Sequence, residues 1–405
     1  MRLVYIHQHF VTGDGFGPNR SYDVSRYLVR MGHEVIMICG IYWQSGLEKM
    51  PWWRLFRVQW IDGIKVVVCN VPYHNKMRVP ARMWAFLKFM ILATVASLWQ
   101  RKVDLVFATS TPTTVGVPGR VSATLKRVPY VFEVRDLWPE DLLAADRIKP
   151  GFEYKVWEWL ESFSYKTARK ILLVSRGFHD RLLERGFPPQ MLETIVLGAD
   201  GALFADLKPN HDYIREHGLD GKTIAVYAGS ISDANGLYQV IDAAEYLRDR
   251  PDIAIVLIGD GRSRAGLEAK ATEKGLTNVY FLDPLPKKDL VHVMAACHIG
   301  LMILKPIRRP RWVTPNKIFD YMFTGIPSVV NYAGTTAELV EQEDVGLAAE
   351  PHSAEDLAAK IIYWADHPEQ RASVGRHARR TAMSKYDRTI IAQRLSDVFQ
   401  QCLQP

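Results

Sequence analysis

Residues 314–330 read TPNKIFDYMFTGIPSVV, a sequence that predicts a helix followed at once by a buried strand. Thr314 is a good helix N-cap, and Pro315 suits the first helical position because the helix needs no amide there. Gly325 predicts the end of the helix just before the apolar run at 328–330. A helix that leads into a continuously apolar strand is typical of a parallel sheet covered by helices.

The start of the same helix favours a bound anion. Asn316 and Lys317 bring free backbone amides, the positive end of the helix and one full charge to a single point. Asp320 follows one turn later, where a carboxylate could accept hydrogen bonds from a ribose. A phosphate beside a sugar hydroxyl predicts a nucleotide. The alternative is a capped surface helix on which Lys317 and Asp320 are incidental.

Apolar strands and helices alternate along almost the whole chain, in two series. Because the strands are continuously apolar, we expect an α/β protein with two doubly wound Rossmann-like domains that face each other across a cleft. Ligands of such sheets lie beyond the carboxyl ends of the strands, which is where we look for candidate residues. Strands are predicted at 3–6, 35–39, 65–69, 103–108, 130–134 and 171–174, then at 224–227, 253–258, 279–282, 299–303, 328–330 and 346–348.

A turn-rich stretch from Gly198 to Asn210 marks the predicted hinge between the two series. We therefore predict an N-terminal, acceptor-side domain at 1–200 and a C-terminal domain at 201–385. After residue 353 the chain is predicted to be all helical. We expect its last helix, at 386–405, to pack back onto the first domain.

The overall composition is that of a soluble protein with two or three domains: 405 residues, 48% of them hydrophobic and 23% charged. Its four cysteines lie far apart, so no disulfide framework is expected and a reducing cytoplasm fits best. The chain begins directly with a predicted strand, which argues against a signal peptide. No uninterrupted apolar run reaches the roughly 18–20 residues of a membrane-spanning helix.

Several turns that follow predicted strands carry glycines, which let a backbone pass close to a phosphate. For the turn that contains Gly15 and Gly17, a flexible loop is the alternative reading. Neither Gly-x-Gly turn has the third glycine of a dinucleotide fingerprint, so a nicotinamide cofactor is not favoured. The candidate nucleotide-binding residues in these turns are Gly15, Gly17, Gly229, Ser230, Gly259 and Gly261, together with Pro284 in a rigid loop.

Charged residues stand in an unusual position in the string EVRDLWPE at 133–140. Arg135 and Asp136 directly follow a buried strand, where a cation can pair with phosphate and a carboxylate can orient an acceptor hydroxyl. The alternative is a structural Arg–Asp pair at the domain edge. No Asp-x-Asp motif and no zinc-spaced cluster occur, so no metal site is predicted. Serine hydrolase and P-loop motifs are also missing.

Residues 49–102 are strongly basic, with ten Lys and Arg against one acid, Asp62. Such a field favours an anionic partner. Tryptophans are interleaved with the basic residues, and an apolar helix is predicted at 82–99. This composition suits a peripheral contact with an anionic membrane through residues 42–102. The alternative is a buried helix beside a solvated basic loop, and nucleic acid is less favoured because no recognition motif is present.

With these residues assembled, the chain resembles the retaining nucleotide-sugar glycosyltransferases of family 4, which have the GT-B fold. It looks most similar to the bacterial N-acetylfucosamine transferase-like subgroup of surface polysaccharide biosynthesis. The resemblance covers essentially the whole chain. It rests on the strings Gly32–Val35, Glu133–Glu140, Gly198–Asp200, Tyr227–Gly229, Gly259–Gly261 and Pro315–Pro327.

This resemblance implies a metal-independent hexosyltransferase that needs no cofactor and uses a nucleotide-sugar, with a UDP-sugar favoured, as its substrate. The donor would bind mainly to the C-terminal domain. Its diphosphate would lie near Gly229, Asn316 and Lys317, and its ribose on Asp320.

Catalysis in the family proceeds with retention, by a front-face route in which the donor phosphate helps to deprotonate the acceptor. Basic groups that stabilise the departing nucleoside diphosphate are then the main catalytic device. The catalytic candidates in this chain are Arg135, Asp136 and Lys317.

The chain departs from the family pattern at two places. Many members have two glutamates eight positions apart; here Asp320 matches the second, and Trp312 stands at the first. Many also carry Arg and Lys in the turn after the first C-terminal strand, where this chain has Ser230 and Asn235. We hypothesise that Lys317 and nearby basic residues replace these cations. The nearby residues are Lys305, Arg308, Arg309 and Arg311.

These features predict transfer of a sugar to a lipid-linked glycan in O-antigen, capsule or exopolysaccharide assembly. The basic, tryptophan-rich segment suits a polyprenyl-pyrophosphate-linked acceptor. The protein would then be cytoplasmic and peripheral on the inner face of the plasma membrane. Two alternatives are a sugar-nucleotide epimerase of the same architecture and a non-catalytic sugar-nucleotide binder. A dehydrogenase is the least favoured function.

Overall fold

The computed structural model describes residues 1–15, 19–144, 148–305, 312 and 314–404, which form two compact units. Unit 1 comprises Met1–Leu197 and Arg388–Pro405, and unit 2 comprises Gly198–Asp387. The sequence places these boundaries at 200 and 386, a few residues from the positions in the structure.

Unit 1 is built on an eight-stranded sheet. Numbered in chain order, its strands are β1 (Arg2–Ile6), β2 (Glu34–Tyr42), β3 (Phe56–Ile61), β4 (Ile64–Tyr73), β5 (Leu105–Thr109), β6 (Tyr130–Val134), β7 (Lys170–Leu173) and β8 (Leu192–Thr194). Its helices are α1 (Arg20–Arg30), α2 (Val79–Trp99), α3 (Gly116–Lys126), α4 (Glu140–Ala144), α5 (Phe152–Tyr165), α6 (Arg176–Glu184) and, after the chain returns from unit 2, α15 (Arg388–Leu403). The strand order is β3-β4-β2-β1-β5-β6-β7-β8.

One strand of unit 1 departs from the all-parallel sheet that the sequence predicts. β3, which the prediction omits, pairs antiparallel with β4 at the sheet edge. Asp62 and Gly63 connect the two strands with positive φ angles of 47° and 78°. These angles suit a two-residue hairpin turn, for which Asp-Gly is a preferred dipeptide. The Asp-Gly pair is therefore a hairpin signal that the prediction overlooks.

Unit 2 is a six-stranded parallel sheet. Its strands are β9 (Thr223–Ala228), β10 (Ile253–Ile258), β11 (Val279–Leu282), β12 (Ile299–Met302), β13 (Ser328–Val330) and β14 (Gly346–Ala348), in the order β11-β10-β9-β12-β13-β14. The helices are α7 (His211–Glu216), α8 (Tyr238–Glu245), α9 (Arg264–Glu273), α10 (Lys287–Ala295), α11 (Lys317–Thr324), α12 (Thr335–Gln342), α13 (Ala354–Asp366) and α14 (Pro368–Lys385). The strand order reverses between β9 and β12, and a doubly wound sheet binds its ligand beyond the carboxyl ends of the strands at that point.

Each unit has its own apolar core. In unit 2, strands β9, β10 and β12 pack with α8 and α13 around fully buried side chains such as Tyr227, Leu257 and Trp364. In unit 1, the core residues of α15 include Leu395 and Phe399. The ring of Phe399 lies 5.0 Å from that of Phe107 on the central strand β5, so the returning helix is part of the unit 1 core. The prediction of two doubly wound α/β domains is confirmed.

Candidate functional site

The anion-binding segment predicted at 314–330 forms α11 and β13 in unit 2, with one change at its start. The α-helix begins at Lys317 with Asn316 as its N-cap residue, whereas the sequence predicts the cap at Thr314. The amide of Ile318 donates to the carbonyl of Pro315 at 3.3 Å, so a tighter turn precedes the α-helix and shifts its first residue. Gly325 ends the helix with φ 77°, as the sequence predicts.

Lys317 points from the start of α11 across the carboxyl end of β9. Its ammonium lies 3.5 Å from the ring centroid of Tyr227, which is a close cation–π contact. A Cβ atom placed on Gly229 would lie only 3.0 Å from Lys317 Nζ, so glycine leaves room for the ammonium. Burial lowers the pKa of Lys317 to about 7; Asp320 opposes this shift and Lys287 adds to it. A poorly solvated ammonium at a helix N-terminus is well suited to bind an anion.

Asp320 lies one turn along α11 and forms an ion pair with Lys287, the first residue of α10. The carboxylate is mostly shielded and the lysine is more open, with side-chain exposures of 17% and 43%. Thr324 donates its hydroxyl to the carbonyl of Asp320 at 3.0 Å, within the same helix. The structure therefore places one carboxylate and two lysines, Lys317 and Lys287, around the first turn of α11.

The three glycines at 229, 259 and 261 are brought together by backbone packing. A Cβ atom on Gly259 would lie 1.9 Å from the carbonyl oxygen of Gly229, and one on Gly261 would lie 2.2 Å from that of Ile231. The loop after β10 therefore lies directly against the turn after β9. Close packing between these two turns accounts for Gly259 and Gly261, while Gly229 is the glycine that contacts Lys317.

The remaining unit 2 candidates lie in the adjoining loops. Ser230 is exposed, and its carbonyl accepts hydrogen bonds from Tyr227 Oη at 2.8 Å and Asn235 Nδ2 at 2.7 Å. Pro284 is exposed in the loop between β11 and α10. Its neighbour Asp283 is paired at 3.0 Å with Arg264, a residue that also donates to the carbonyl of Gly259 at 3.0 Å.

Of the four cations predicted to lie just before α11, only Lys305 belongs to the described residues. Lys305 contacts both carboxylate oxygens of Asp233, at 2.9 and 2.8 Å, so its charge is matched within the turn after β9. Arg311, a predicted donor-binding residue, lies outside the described residues, as do Arg308 and Arg309. The side-chain Oδ1 of Asn316 is buried and has no hydrogen-bond partner among the described residues.

The unit 1 candidates lie at the carboxyl ends of β1 and β6. The backbone amide of Arg135 donates to the Ser110 hydroxyl at 2.9 Å, and Thr111 donates a hydrogen bond to Asp136. Within the described part of the chain, Arg135 forms no ion pair, so the structural Arg–Asp pair is not the arrangement found. Gly15 packs against the backbone of Gln44, where a Cβ atom would lie 2.4 Å from the carbonyl oxygen. Gly17 lies outside the described residues.

Glu140, the last residue of the EVRDLWPE string, is held in place by ion pairs. Arg181 contacts it at 3.0 and 3.2 Å, and Arg185 lies 3.7 Å away. Arg185 also pairs with the buried Glu161. Because its charge is matched by two arginines, Glu140 anchors the start of α4, and this part of the motif has a structural role.

Two histidines after β1 are kept neutral beside Arg135. His7 is buried, and its Nδ1 lies 2.8 Å from the Ser21 hydroxyl. Burial and the charge of Arg135 lower the pKa of both rings, that of His9 to about 3. The His9 ring lies 4.3 Å from that of Tyr73 and 6.4 Å from that of Phe86 on α2. The carboxyl edge of unit 1 thus combines a cation with neutral polar and aromatic groups.

Sequence reasoning missed two residues of the unit 2 site, Tyr227 and Lys287. In the sequence, Tyr227 is one residue of a continuously apolar predicted strand. Only the fold shows that its ring contacts the ammonium of Lys317. The Leu282–Lys287 loop contains two prolines, which signal a turn but do not reveal that Lys287 pairs with Asp320. Among the described residues, no group of three or more His, Cys, Asp or Glu side chains could hold a metal ion.

The two halves of the chain each match a known family. Residues 17–198 match the family described as Glycosyl transferase 4-like domain, and residues 210–381 match Glycosyl transferases group 1. One relative is WcaI of Escherichia coli (strain K12), assigned to colanic acid biosynthesis as a glycosyl transferase. It is 25% identical over 378 residues, which are 89% of this chain and 91% of the relative.

Solved structures with the same fold extend over essentially the whole chain. The sucrose-phosphate synthase of Thermosynechococcus elongatus superposes with a TM-score of 0.75 at 15% identity, covering 99% of this chain and 98% of that one. The Anabaena protein HepE in complex with UDP-glucose gives a TM-score of 0.69 at 18% identity, covering 99% and 100%. Both similarities show the GT-B fold.

The chain belongs to the family 4, group 1 nucleotide-sugar glycosyltransferases. It is an enzyme that transfers a sugar from a nucleotide-sugar donor. The predicted fold and enzyme class are therefore confirmed, and a dehydrogenase is excluded.

Proposed function

We propose that this enzyme transfers a sugar, with retention, from a UDP-sugar to a polyprenyl-pyrophosphate-linked glycan during bacterial surface polysaccharide assembly. The observation that carries the proposal is the position of Lys317. Its ammonium lies at the start of α11 beside Gly229, at the point where the strand order of unit 2 reverses. A nucleoside diphosphate matches this combination of a helix N-terminus, an unhindered backbone turn and a cation.

In this proposal the donor diphosphate lies between Gly229 and the first turn of α11. Lys317 becomes fully charged when the anion binds, and it stabilises the negative charge that grows on the leaving diphosphate as the sugar–phosphate bond breaks. Asp320 accepts hydrogen bonds from the ribose hydroxyls, for which its present partner Lys287 gives way. Among the described residues, Lys317 takes the place of the arginine and lysine found in related enzymes at the positions of Ser230 and Asn235.

The acceptor is proposed to bind at the carboxyl edge of unit 1. Asp136 orients the acceptor hydroxyl, Arg135 contributes a positive charge beside it, and the donor phosphate oxygen takes the proton. This route needs no metal and no cofactor, since the side chains supply the charge. Chelation with EDTA is accordingly expected to leave the rate unchanged.

The choice of donor and acceptor has separate support. The Anabaena protein of the same fold holds UDP-glucose, which favours a UDP-sugar. The assignment of WcaI to colanic acid biosynthesis favours a surface polysaccharide, of which O-antigen, capsule and exopolysaccharide are the candidates. The basic, tryptophan-rich face of unit 1 favours an acceptor carried on a lipid, and it would place the enzyme in the cytoplasm against the inner face of the plasma membrane.

The proposed donor site can be tested by a thermal-shift screen against UDP-, GDP- and dTDP-sugars. We expect UDP-sugars to stabilise the wild-type protein and the Lys317→Ala variant to lose most of that stabilisation and of the transfer rate. Lys222→Ala is a matched control, because Lys222 lies just before β9, at the amino edge of the same sheet. Unchanged donor binding and transfer in Lys317→Ala would overturn the proposal.

The proposed reaction is tested by the products. Transfer releases one UDP for each new glycosidic bond, and NMR spectroscopy of the product should show the anomeric configuration of the donor. Release of UDP without acceptor, or formation of an epimeric UDP-sugar, would instead favour the epimerase alternative. Inversion at the anomeric carbon would contradict the proposed front-face route.

A further inference from the structure

Helix α2 of unit 1 carries an uncovered apolar stripe along its whole length. The side chains of Trp84, Leu87, Ile91, Val95 and Leu98 are exposed, at intervals of three or four residues, and therefore lie on one face of the helix. Trp84 is 64% exposed and Ile91 is 53% exposed. A soluble helix normally turns polar groups toward water on this face, so the stripe indicates a surface that contacts an apolar partner.

The opposite face of α2 is buried within unit 1. Phe86, Phe89 and Ala93 on this face have at most 2% of their surface exposed. By length and composition the helix could cross a membrane, and it is the one helix in the described part of the chain that passes this test. Its buried face belongs to the core of unit 1, however, so α2 can enter a bilayer only with its outer stripe, lying parallel to the surface.

The edge hairpin extends this apolar surface. Phe56, Val58 and Trp60 lie on one face of β3 because they alternate along the strand. The ring of Phe56 contacts that of Trp99 at the end of α2, with 4.9 Å between centroids. Val58 and Trp60 are exposed and therefore continue the α2 stripe across the edge of the sheet.

The loop that precedes β3 adds two more exposed tryptophans. The buried side chain of Asn70 on β4 donates to the carbonyls of Pro51 and Arg54, each at 2.8 Å. The intervening Trp52 and Trp53 are held at the surface with 88% and 67% of their area exposed. Tryptophans with one polar ring edge are enriched at the level of lipid headgroups.

The charges around the stripe identify the partner. Six cations lie at its two ends and along its side, and none of them forms an ion pair with a described carboxylate. Lys76, Arg78, Arg101 and Lys102 are exposed, and Arg82 and Lys88 are partly exposed. The one acid in residues 49–102, Asp62, accepts a hydrogen bond from Tyr22. A second copy of the same basic face would be repelled, and an anionic bilayer satisfies both the apolar stripe and its cationic border.

We propose that the outer face of α2 and the β3 hairpin form a docking surface for an anionic phospholipid bilayer, in which α2 lies flat at the headgroup level. The inner side of α2 carries Phe86, whose ring stacks on Tyr73 at 5.6 Å and lies 6.5 Å from that of Trp138. Trp138 belongs to the EVRDLWPE string at the carboxyl edge of unit 1. Helix α2 therefore connects the membrane surface with the proposed acceptor site, and this inference rests on the proposed lipid-linked acceptor.

The docking surface can be tested with vesicles of phosphatidylcholine, with and without phosphatidylglycerol. We expect the protein to sediment with the anionic vesicles and to bind neutral ones weakly. Salt at about 1 M should weaken the binding, because it shortens the Debye length to about 3 Å. Equal binding to both kinds of vesicle, or binding to neither, would overturn the proposal.

Two double variants separate the apolar and charged contributions. Leu87→Ser/Ile91→Ser should lower the partition coefficient roughly tenfold or more, since two buried apolar contacts with the bilayer are lost. Arg78→Glu/Arg82→Glu should lower it by at least about fivefold for each basic side chain removed. The matched controls are Tyr246→Ser and Arg376→Glu, which change an exposed aromatic residue and an exposed cation of unit 2. The proposal fails if either double variant binds the anionic vesicles as the controls do.

Measurements of the oligomeric state and of sugar transfer separate a membrane-docking surface from a dimer interface. If the wild type is a dimer that Leu87→Ser/Ile91→Ser converts to monomers, and vesicles are not bound, a second copy covers the stripe and the proposal is wrong. If the enzyme transfers sugar to lipid-linked acceptors but does not bind the vesicles, the proposed docking surface is wrong while the proposed function stands. If vesicles are bound but only water-soluble acceptors are used, the lipid-linked acceptor fails while the docking surface stands.

Discussion

The guanidinium of Arg20 lies 3.0 Å from the carboxylate of Glu133, and these side chains are only 1% and 2% exposed. Thr109 donates to the second carboxylate oxygen at 2.5 Å. Arg20 also donates to the carbonyls of Val196 and Leu197, the last residues of unit 1 before the chain enters unit 2. The first residue of α1 thus joins the central sheet to the segment that leaves the unit.

The return of the chain is held by the same turn of α1. Asp23 forms an ion pair with Arg388, the first residue of α15, and Arg388 Nη1 also donates to Asn19 Oδ1 at 2.9 Å. The beginning of α1 therefore binds both chain segments that connect unit 1 to unit 2.

Replacing Arg20 should destabilise unit 1 strongly. In Arg20→Met the carboxylate of Glu133 stays buried without its cation, and loss of one partner of a buried pair typically costs about 3–5 kcal/mol. The double variant Arg20→Met/Glu133→Leu should cost less, because no charge is left unpaired. Amide hydrogen exchange of β6 measures the opening free energy within unit 1 alone. Arg215→Met is the control, since Arg215 forms an exposed ion pair that should contribute at most about 1 kcal/mol.

The ion pair between Arg20 and Glu133 makes the stability of unit 1 depend on pH. Burial raises the pKa of Glu133, but Arg20, Arg135 and the Thr109 hydroxyl outweigh it and hold the pKa below the usual 4.5. The stabilisation is complete above the pKa of the unfolded chain and is lost as the pH falls through the lower pKa of the folded state. In Glu133→Gln, unit 1 should lose less stability as the pH falls. An unchanged acid profile of β6 exchange in that variant would contradict the assignment.

Donor binding should weaken as the pH rises above about 7. The pKa of Lys317 is lowered to about 7 in the free protein, and a bound diphosphate favours the charged form and raises it. Below pH 7 the ammonium is charged in both states; above it, binding must take up a proton, so Kd should rise by up to about tenfold per pH unit. Titration calorimetry with UDP-glucose measures this slope.

Lys317→Arg is the matched variant for this pH dependence. A guanidinium stays charged throughout the range, so its affinity should be nearly independent of pH between about 6 and 9. Proton uptake on binding, measured from heats in buffers of different ionisation enthalpy, should also disappear. If wild type and Lys317→Arg have the same slope, another group titrates and the role given to Lys317 is wrong.

Gly229→Ala should impair donor binding through Lys317. The new methyl group would lie 3.0 Å from Nζ, and φ at this position is +141°, which L-residues rarely adopt. We expect Kd for the UDP-sugar to rise about tenfold or more, as a cost of about 1.4 kcal/mol gives a factor of ten. Gly275→Ala is the control, because φ there is +62° and no atom lies within 4 Å of the added Cβ. Equal affinities of the two variants would contradict a specific role of Gly229.

Some features of this protein can be predicted from its sequence, and others depend on the packing of the folded chain. The parallel sheets follow from continuous apolar runs such as Ile253–Ile258, whose composition alone requires burial on both faces. The sequence predicts Lys317 and Asp320 as site residues because a single helix turn places them together. It does not predict Tyr227 and Lys287 as site residues, because their contacts with α11 depend on how separate elements pack. The role of a glycine in a turn is also ambiguous in the sequence. A glycine can leave room for a phosphate, but Gly259 leaves room for the neighbouring backbone of Gly229 instead.

The charges next to Lys317 should shift the pH dependence of donor binding in opposite directions. Asp320 raises the pKa of Lys317, so Asp320→Asn should lower the pH above which the affinity falls. Lys287 lowers the same pKa, so Lys287→Met should move this midpoint upward. Asp320→Asn should also weaken binding at every pH, because a carboxylate accepts hydrogen bonds from the ribose more strongly than an amide does. Lys288→Met, an exposed neighbour on α10, is the control and should leave the midpoint in place. Midpoints that move in the same direction in Asp320→Asn and Lys287→Met would show that these residues do not set the charge of Lys317, and the ion pair between them would then be a structural link between α10 and α11.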